Sequence, residues 1–303
     1  MTRLLTAGSL NTDLVMWVER APGAGETVTG ESFAIFGGGK GANQTLSAAR
    51  SGAGVAMLGA IGSDDFGRAR LADLEREGID TGCIQRFDGV ASGVALITIE
   101  KGGENRIAYT LGAGAKITPE QARDAVSRVR PSTILSTLEL PDPVLEALFA
   151  AGREIGATII VNATPEPSAH AALAVVADIL IVNETEAREI LNWSMSQQDW
   201  EAAAVRLAAL GPSTVIITLG ATGALVLTAE GVRLLPPPKV VVVDTTGAGD
   251  AFCGAFAARI AAGESMLAAA EDAVIAGALA TTVEGAQPSQ PTRAQIDAVK
   301  AGR

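Results

Sequence analysis

The sequence predicts an α/β protein: a mostly parallel central sheet covered by helices on both faces, with a small separate β-sheet beside it. Three observations predict this. Short Val/Ile-rich runs alternate with helical stretches along most of the 303 residues, the pattern of strand–helix units whose strands are buried on both sides. Two segments, 13–36 and 93–109, break the rhythm with extended, turn-rich sequence. Hydrophobic residues make up 48% and charged residues 19%, a balance that supports a sizeable core and argues against wholesale disorder.

Taken in order, residues 4–10 form the first predicted strand, followed by a helix over 42–51 and a strand over 55–61. Residues 66–77 have helical periodicity and stop at Gly78, a residue suited to a helix C-terminus. Strand 133–137, helix 143–155, strand 158–162, helix 169–176 and strand 179–182 come next. Helix 200–210 leads to strand 214–219 and a hairpin-like pair around 223–235. A strand is expected over 240–243, and everything after Ala248 reads as helical. Within 93–109, two alternating runs flank Lys101-Gly102-Gly103-Glu104, a hairpin signal. Paired with 13–36, which holds Val15, Trp17 and Val18, they are expected to build the small sheet. Such a sheet would cover a site or pair with another subunit. Neither repeat nor linker divides the chain, so 1–303 is read as one domain.

Composition excludes several function classes. A formal net charge of -11 argues against nucleic acid as a partner, because phosphate-backbone binding needs a basic face. Cys83 and Cys253 lie far apart and form no CxxC pair, so they are expected to be buried free thiols in a reducing compartment. His170 is the single histidine; a catalytic triad or His-rich metal site would rest on it alone, and it is read as structural. The apolar run 4–10 is too short for a secretory signal, and no apolar run is long enough to span a membrane. The expectation is a soluble, cytoplasmic protein that engages no membrane.

The strongest chemical signal is Val243-Asp244-Thr245-Thr246-Gly247-Ala248-Gly249-Asp250, which leads into a long Ala-rich helix. Gly247 and Gly249 let the backbone turn tightly and present successive N–H groups, an anion hole for a phosphoryl group. Asp250 would repel a phosphate, so it is better placed as a base that takes a proton from an attacking hydroxyl. The plain structural alternative is an Asp capping a helix after a Gly turn. A second signal, Gly37-Gly38-Gly39-Lys40-Gly41-Ala42-Asn43, opens a helix and offers donors from Lys40 and Asn43. It is not a Walker A loop, since Gly41 follows the lysine. Asp65-Phe66-Gly67 copies the protein-kinase magnesium tripeptide without its partner motifs and reads as a turn and helix start.

In this order, Ser9-Leu10-Asn11-Thr12-Asp13, Pro22–Thr27, Gly38–Asn43, Asn183-Glu184-Thr185-Glu186, Thr218-Leu219-Gly220 and Asp244–Asp250 resemble the ribokinase-like (PfkB-type) carbohydrate kinases. The later Gly285-Ala286-Gln287-Pro288-Ser289 strengthens the likeness. The resemblance implies a Rossmann-type three-layer kinase core and ATP plus a small sugar as substrates, most directly ribose. It implies that Asp250 is the base and that the amides of Gly247, Ala248 and Gly249 form the anion hole. Asn11, Asp13, Gly39, Lys40, Gly41, Asn43 and Glu139 match positions that hold the sugar. Asn183, Thr218, Gly220, Gly223 and Gly249 match nucleotide positions, and Glu186 matches a residue that orders Mg2+ through water. Asp244, Thr246, Ala280, Val283, Gly285 and Ser289 match a site for K+ or another monovalent cation. The extended segments, 13–36 and 93–112, match a lid that closes over the sugar and can form a homodimer contact. Two stretches depart from the pattern and bear on which sugar is used: Gly114 stands where Asn is usual, and Asn162-Ala163-Thr164-Pro165 replaces Asn-Pro-Ala-Pro. Deoxyribose, fructose, another sugar or a nucleoside stays open as acceptor, and so does a non-catalytic sensor on the same scaffold.

Overall fold

The computed structural model describes residues 4–194 and 199–302. The chain lays down β1 (Leu4–Ala7), then β2 (Asn11–Val18) and β3 (Gly30–Gly38) of the small sheet, then α1 (Lys40–Arg50), β4 (Val55–Gly62) and α2 (Asp65–Arg76). After β5 (Ile84–Phe87), β6 (Gly93–Glu100) and β7 (Asn105–Thr110) return to the small sheet. The alternation resumes with α3 (Pro119–Val129), β8 (Thr133–Ser136), α4 (Asp142–Glu154), β9 (Thr158–Asn162) and the single turn α5 (Ala171–Ala174). It continues through β10 (Ile179–Asn183), α6 (Glu184–Leu191) and α7 (Trp200–Ala208) to β11 (Thr214–Thr218), β12 (Ala224–Thr228) and β13 (Gly231–Leu235). Helices α8 (Ala248–Ala261), α9 (Met266–Ala280) and α10 (Arg293–Ala301) complete the fold.

The main sheet has nine strands in the order β13-β12-β11-β10-β9-β8-β1-β4-β5, and only the β11–β12–β13 meander at one edge is antiparallel. Successive strand residues feed opposite cores. Leu5, Ala56, Leu58, Ile134, Ile159 and Leu180 pack with α3, α4, α6 and α7, whereas Leu4, Val55, Met57, Leu135, Ile160 and Ile179 pack with α1, α8 and α9. Side chains alternate across a strand with period two, so a strand buried on both faces needs apolar residues at every position. Each fully buried Leu or Ile contributes about 1.5–3 kcal/mol.

The second sheet has four strands in the order β3-β2-β6-β7. β2 pairs parallel with β6, and β6 turns back into β7 at the predicted hairpin, where Glu100 N–H donates to Glu104 O at 2.8 Å. β2 begins and β3 ends beside the N-terminus of α1, so this sheet grows directly out of the Gly-rich loop.

Three expectations need correction. Residues 240–243 form no strand: Val241, Val242 and Val243 are 83%, 59% and 64% exposed. β13 already ends the sheet, and the N–H groups of Val243 and Asp244 hang on Thr281 O at the end of α9. The helix expected over 169–176 shrinks to the four residues of α5, with His170 at its N-cap, where Nδ1 stands 2.6 Å from Asp142 Oδ1. The final region is interrupted by an irregular stretch between α9 and α10. The Asp-Phe-Gly tripeptide is a helix start as read, with Asp64 accepting from Gly67 N–H as the cap. Cys83 and Cys253 are buried and free. Among the described residues, no helix is long and apolar enough to cross a membrane.

Candidate active site

The parallel strands deliver the site residues from their carboxyl ends. Ser9 follows β1, Glu139 follows β8, Asn162 ends β9, Asn183 ends β10 and Thr218 ends β11. This is the edge at which open α/β sheets bind ligands, because helix N-termini and loops converge there. The N-termini of α1 and α8 meet above it, carrying the two Gly-rich motifs.

Asp250 is the third residue of α8 and is 7% exposed. Gly247, the N-cap, has φ 77, and a β-carbon there would lie 2.9 Å from Ala286 Cα, so only glycine makes this turn without strain. Each oxygen of Asp250 accepts one side-chain amide at 3.0 Å: Oδ1 from Gln44 Nε2 and Oδ2 from Asn43 Nδ2. Burial pushes the Asp250 carboxyl above the usual carboxylate range, while the Lys40 charge and the two amides oppose that shift. Lys40 is in turn held above its ordinary range, first by the charge of Asp250.

On one side of Asp250 lie the residues expected to hold the sugar. Asn11 and Asn43 each keep a buried, unpartnered Oδ1, and a buried acceptor left so calls for a donor. Asp13 is pushed up to about 6 by burial, Arg70 pulling it down and Asp250 and Glu139 adding to the rise. Glu139 is tied in place. Its carboxylate accepts from Ser9 N at 2.9 Å, Ser9 Oγ at 2.6 Å, Gly41 N at 3.2 Å and Thr137 Oγ1 at 2.9 Å. It therefore fastens the Gly39–Gly41 loop to β1 and β8 as well as adding charge.

On the other side is a cavity of about 260 Å³ lined by Lys40, Asn183, Glu186, Thr218, Gly247, Gly249 and Asp250. Lys40, expected among the sugar residues, thus also faces the nucleotide residues. Asn183 and Glu186 form a capping box at the start of α6, Asn183 Oδ1 accepting from Glu186 N at 2.9 Å and Glu186 Oε2 from Asn183 N at 2.8 Å. Burial raises the Glu186 carboxyl, and Lys40 counters it. Gly220 and Gly223 shape the turn from β11 to β12 and do not line the cavity. Of the three expected anion-hole amides, that of Ala248 donates to Thr245 O at 3.2 Å, while a β-carbon on Gly249 would meet open space.

Of the expected cation residues, Asp244, Thr246 and Gly285 are hydrogen-bonded together. Asp244 Oδ1 accepts from Thr246 N at 2.9 Å and Thr246 Oγ1 at 2.6 Å, and Oδ2 accepts from Gly285 N at 2.8 Å. These bonds strap the segment before α8 to the segment after α9, which holds Val283 and Ser289, while Ala280 ends α9 itself.

Gln44, Asn162, Thr164, Thr245 and Cys253 carry no expected site role in the sequence reading. Gln44 touches Asp250, and the other four line the cavity. For Asn162 a signal existed, its place at the carboxyl end of a buried strand. Thr164, in one of the two departing stretches, helps to lower the Glu186 carboxyl against its burial. Gly114, the other departure, packs on Leu111, where a β-carbon would lie 2.7 Å from Cγ.

The profile of the pfkB family carbohydrate kinases matches residues 1–293. The chain belongs to this family. It is a phosphotransferase that acts on a sugar hydroxyl. The chain is 34% identical to the ribokinase of Schizosaccharomyces pombe, over 98% of its own length and 97% of that protein. It is 32% identical to the deoxyribokinase of Salmonella typhi, over 96% of each chain. The structure of Arabidopsis thaliana ribokinase complexed with ribose and ATP superposes with a TM-score of 0.88 at 27% identity, covering 99% of both chains. Pentose kinases thus surround this pfkB-family chain in sequence and in fold.

Proposed function

We propose that this chain transfers the γ-phosphoryl group of ATP to the primary hydroxyl of ribose, giving ribose 5-phosphate and ADP. One observation carries the reading. The buried Asp250 carboxylate stands between unpartnered acceptors on one side and a cavity lined by Lys40, Asn183 and Glu186 on the other. The likeness to a ribokinase complexed with ribose and ATP supports placing sugar and nucleotide on those two sides.

In this mechanism the sugar sits against Asn11, Asp13, Gly39, Gly41 and Asn43, with the hydroxyl directed at Asp250. Asp250 takes its proton as the oxygen bonds to the γ-phosphorus and the bond to the bridging oxygen of ADP breaks. Lys40 and the amides at the start of α8 (Gly247, Ala248, Gly249) offset the charge in transit. Asn183, Thr218, Gly220 and Gly223 hold the nucleotide. The small sheet, from 13–36 and 93–112, closes over the sugar and excludes water.

Magnesium enters with ATP. Among the described residues no cluster of three or more acidic, His or Cys groups is poised for a metal. Phosphate oxygens and water would supply most of its ligands, with Glu186 as an outer acceptor. When bound it lowers the charge of the phosphate oxygens. A K+ ion would be held by oxygens of Asp244, Thr246, Ala280, Val283, Gly285 and Ser289, and the bonds joining Asp244 to Thr246 and Gly285 support that reading. Such an ion would steady the loop that carries Gly247.

The test is ADP release with ribose, deoxyribose, fructose and adenosine, with and without K+, for the wild type and Asp250→Asn. The expected result is strongest turnover with ribose, raised by K+, and a loss of roughly 10²–10⁴ in Asp250→Asn, the scale of general-base catalysis. Preference for deoxyribose keeps the mechanism and moves the sugar. Absence of turnover with every acceptor, in a folded protein that binds ATP, turns the reading to a sensor.

A further inference from the structure

Gln44 follows Asn43 on α1 and is 1% exposed, yet it lies beyond the expected sugar contacts. Its side-chain nitrogen makes two hydrogen bonds, to Asp250 Oδ1 at 3.0 Å and to Asn162 Oδ1 at 2.9 Å. Asn162 Nδ2 in turn donates to Ile181 O at 3.2 Å. The polarity of this chain is fixed from its far end. A backbone carbonyl can only accept, so Asn162 must turn its NH2 group to Ile181 and its oxygen to Gln44. Gln44 must then present its own NH2 group, whose two hydrogens divide between Asn162 and Asp250. The amide cannot flip without placing oxygen against oxygen at both ends. α1 is itself pinned to α8, Ser47 Oγ donating to Ala251 O at 2.9 Å one turn further on.

We infer that Gln44 is a positioning residue for the phosphoryl transfer: with Asn162 and the Ile181 carbonyl it forms a one-way relay that orients the Asp250 carboxylate and keeps it the proton acceptor. This rests on the reading of Asp250 as the base. The two oxygens of Asp250 then have different duties. Asn43 binds Oδ2 and leaves its own buried Oδ1 unpartnered. Gln44 binds Oδ1 and has both hydrogens committed within the protein. Asn43 serves substrate and base together, and Gln44 serves the base alone. The other groups bearing on Asp250 are Lys40 from α1, Asp13 from β2, Glu139 after β8 and Cys253 from α8 itself. Lys40 favours the ionised form, the two acids oppose it, and burial holds the Cys253 thiol well above its usual range and so uncharged.

The experiment uses the full chain with ribose, ATP and magnesium, following kcat and kcat/KM from acid to alkaline pH for wild type, Gln44→Met, Gln44→Glu and Asp250→Asn. Gln44→Met keeps the volume and removes the donor. It should lower kcat roughly 10- to 100-fold, the scale of one hydrogen bond to a charged group, with little change in KM for ribose or ATP. The acid limb of its pH profile should move to higher pH, because the base then holds its proton longer. Gln44→Glu, which sets a second carboxyl against Oδ1, should move that limb further. A merely structural glutamine would lower the active fraction and leave the limb in place. An unmoved limb in a folded Gln44→Met, or in a folded Gln44→Glu if Met does not fold, overturns the relay. Normal turnover by Asp250→Asn overturns the assignment of the base instead, so the two failures are distinct.

Discussion

Asp13 and Lys40 show two ways a fold retunes ordinary side chains: burial raises the Asp13 carboxyl, and the charge of Asp250 raises Lys40 against its burial. Asp13 sits near Asp250 and Glu139, and desolvation raises its carboxyl to about 6, against the pull of Arg70. In the ligand-free protein, a carboxyl raised on folding adds stability that is fully present below its unfolded value and is lost as pH rises through about 6. Sugar binding reverses the preference, since a hydroxyl donates best to the anion. KM for ribose should therefore climb as pH falls from 7 to 5, more than kcat changes, and Asp13→Asn should flatten that climb. Initial rates over a ribose titration at each pH check this; a KM that stays level in the wild type removes Asp13 from the sugar. Lys40 carries the positive charge that Asp250 most strongly holds in place, and it also lines the cavity. Lys40→Met should cost roughly 10²–10³ in kcat, as when one donor to developing charge is removed, with ribose binding largely kept. Loss of ribose affinity alone, read by calorimetry, would return Lys40 to the sugar side.

At the scale of elements, the N-terminus of α8 concentrates the design. Gly247 holds a left-handed turn against Ala286, and Gln290 Nε2 reaches Gly247 O at 3.3 Å and Ala286 O at 2.7 Å. Gly247→Ala should destabilise the fold by about 1–3 kcal/mol, the range for a non-glycine residue forced into this region, measured by urea denaturation. Turnover should fall by more than that loss of folded protein explains, since the same shift moves Asp250. Equal stability and rate would show that the turn tolerates a β-carbon. The strand–helix alternation was legible because strands buried on both faces leave unbroken apolar runs, as at Val55–Gly62. That same rule misread 240–243, whose valines look like a strand but have no neighbouring strand to pair with. α3 was passed over although Thr118, Pro119 and Gln121 spell a capping box with proline in the first turn. In the site, glycine turns and unusual acids stood out in sequence. Gln44 did not, because an amide within a helix looks ordinary until its partners Asp250 and Asn162, 206 and 118 residues away, come within 3.0 Å.

At the scale of the whole molecule, the small sheet has two faces with different neighbours. Asp13, Phe36, Ala95 and Tyr109 lie on one rung, so they share a face. Asp13 and Tyr109 both sense the charge of Glu139, which turns this face toward the site. On the rungs between, Leu14 pairs with Ile35 and Leu96, and Met16 with Phe33. Phe33, Ile35, Leu96 and Met16 are exposed large hydrophobics on that other face. Large exposed apolar faces are often interaction sites. A second copy of the chain is the partner we propose, because two-fold pairing lets the same rungs cover each other. Ile35→Asp and Leu96→Asp should each shift a dimer to monomer in sedimentation velocity, at matched concentrations and without unfolding. Since β2 carries Asp13 on the opposite face, the monomer should also show a weakened grip on ribose, with ATP affinity less affected. A wild type that stays monomeric at high micromolar concentration removes the dimer and leaves this face to the closing motion alone.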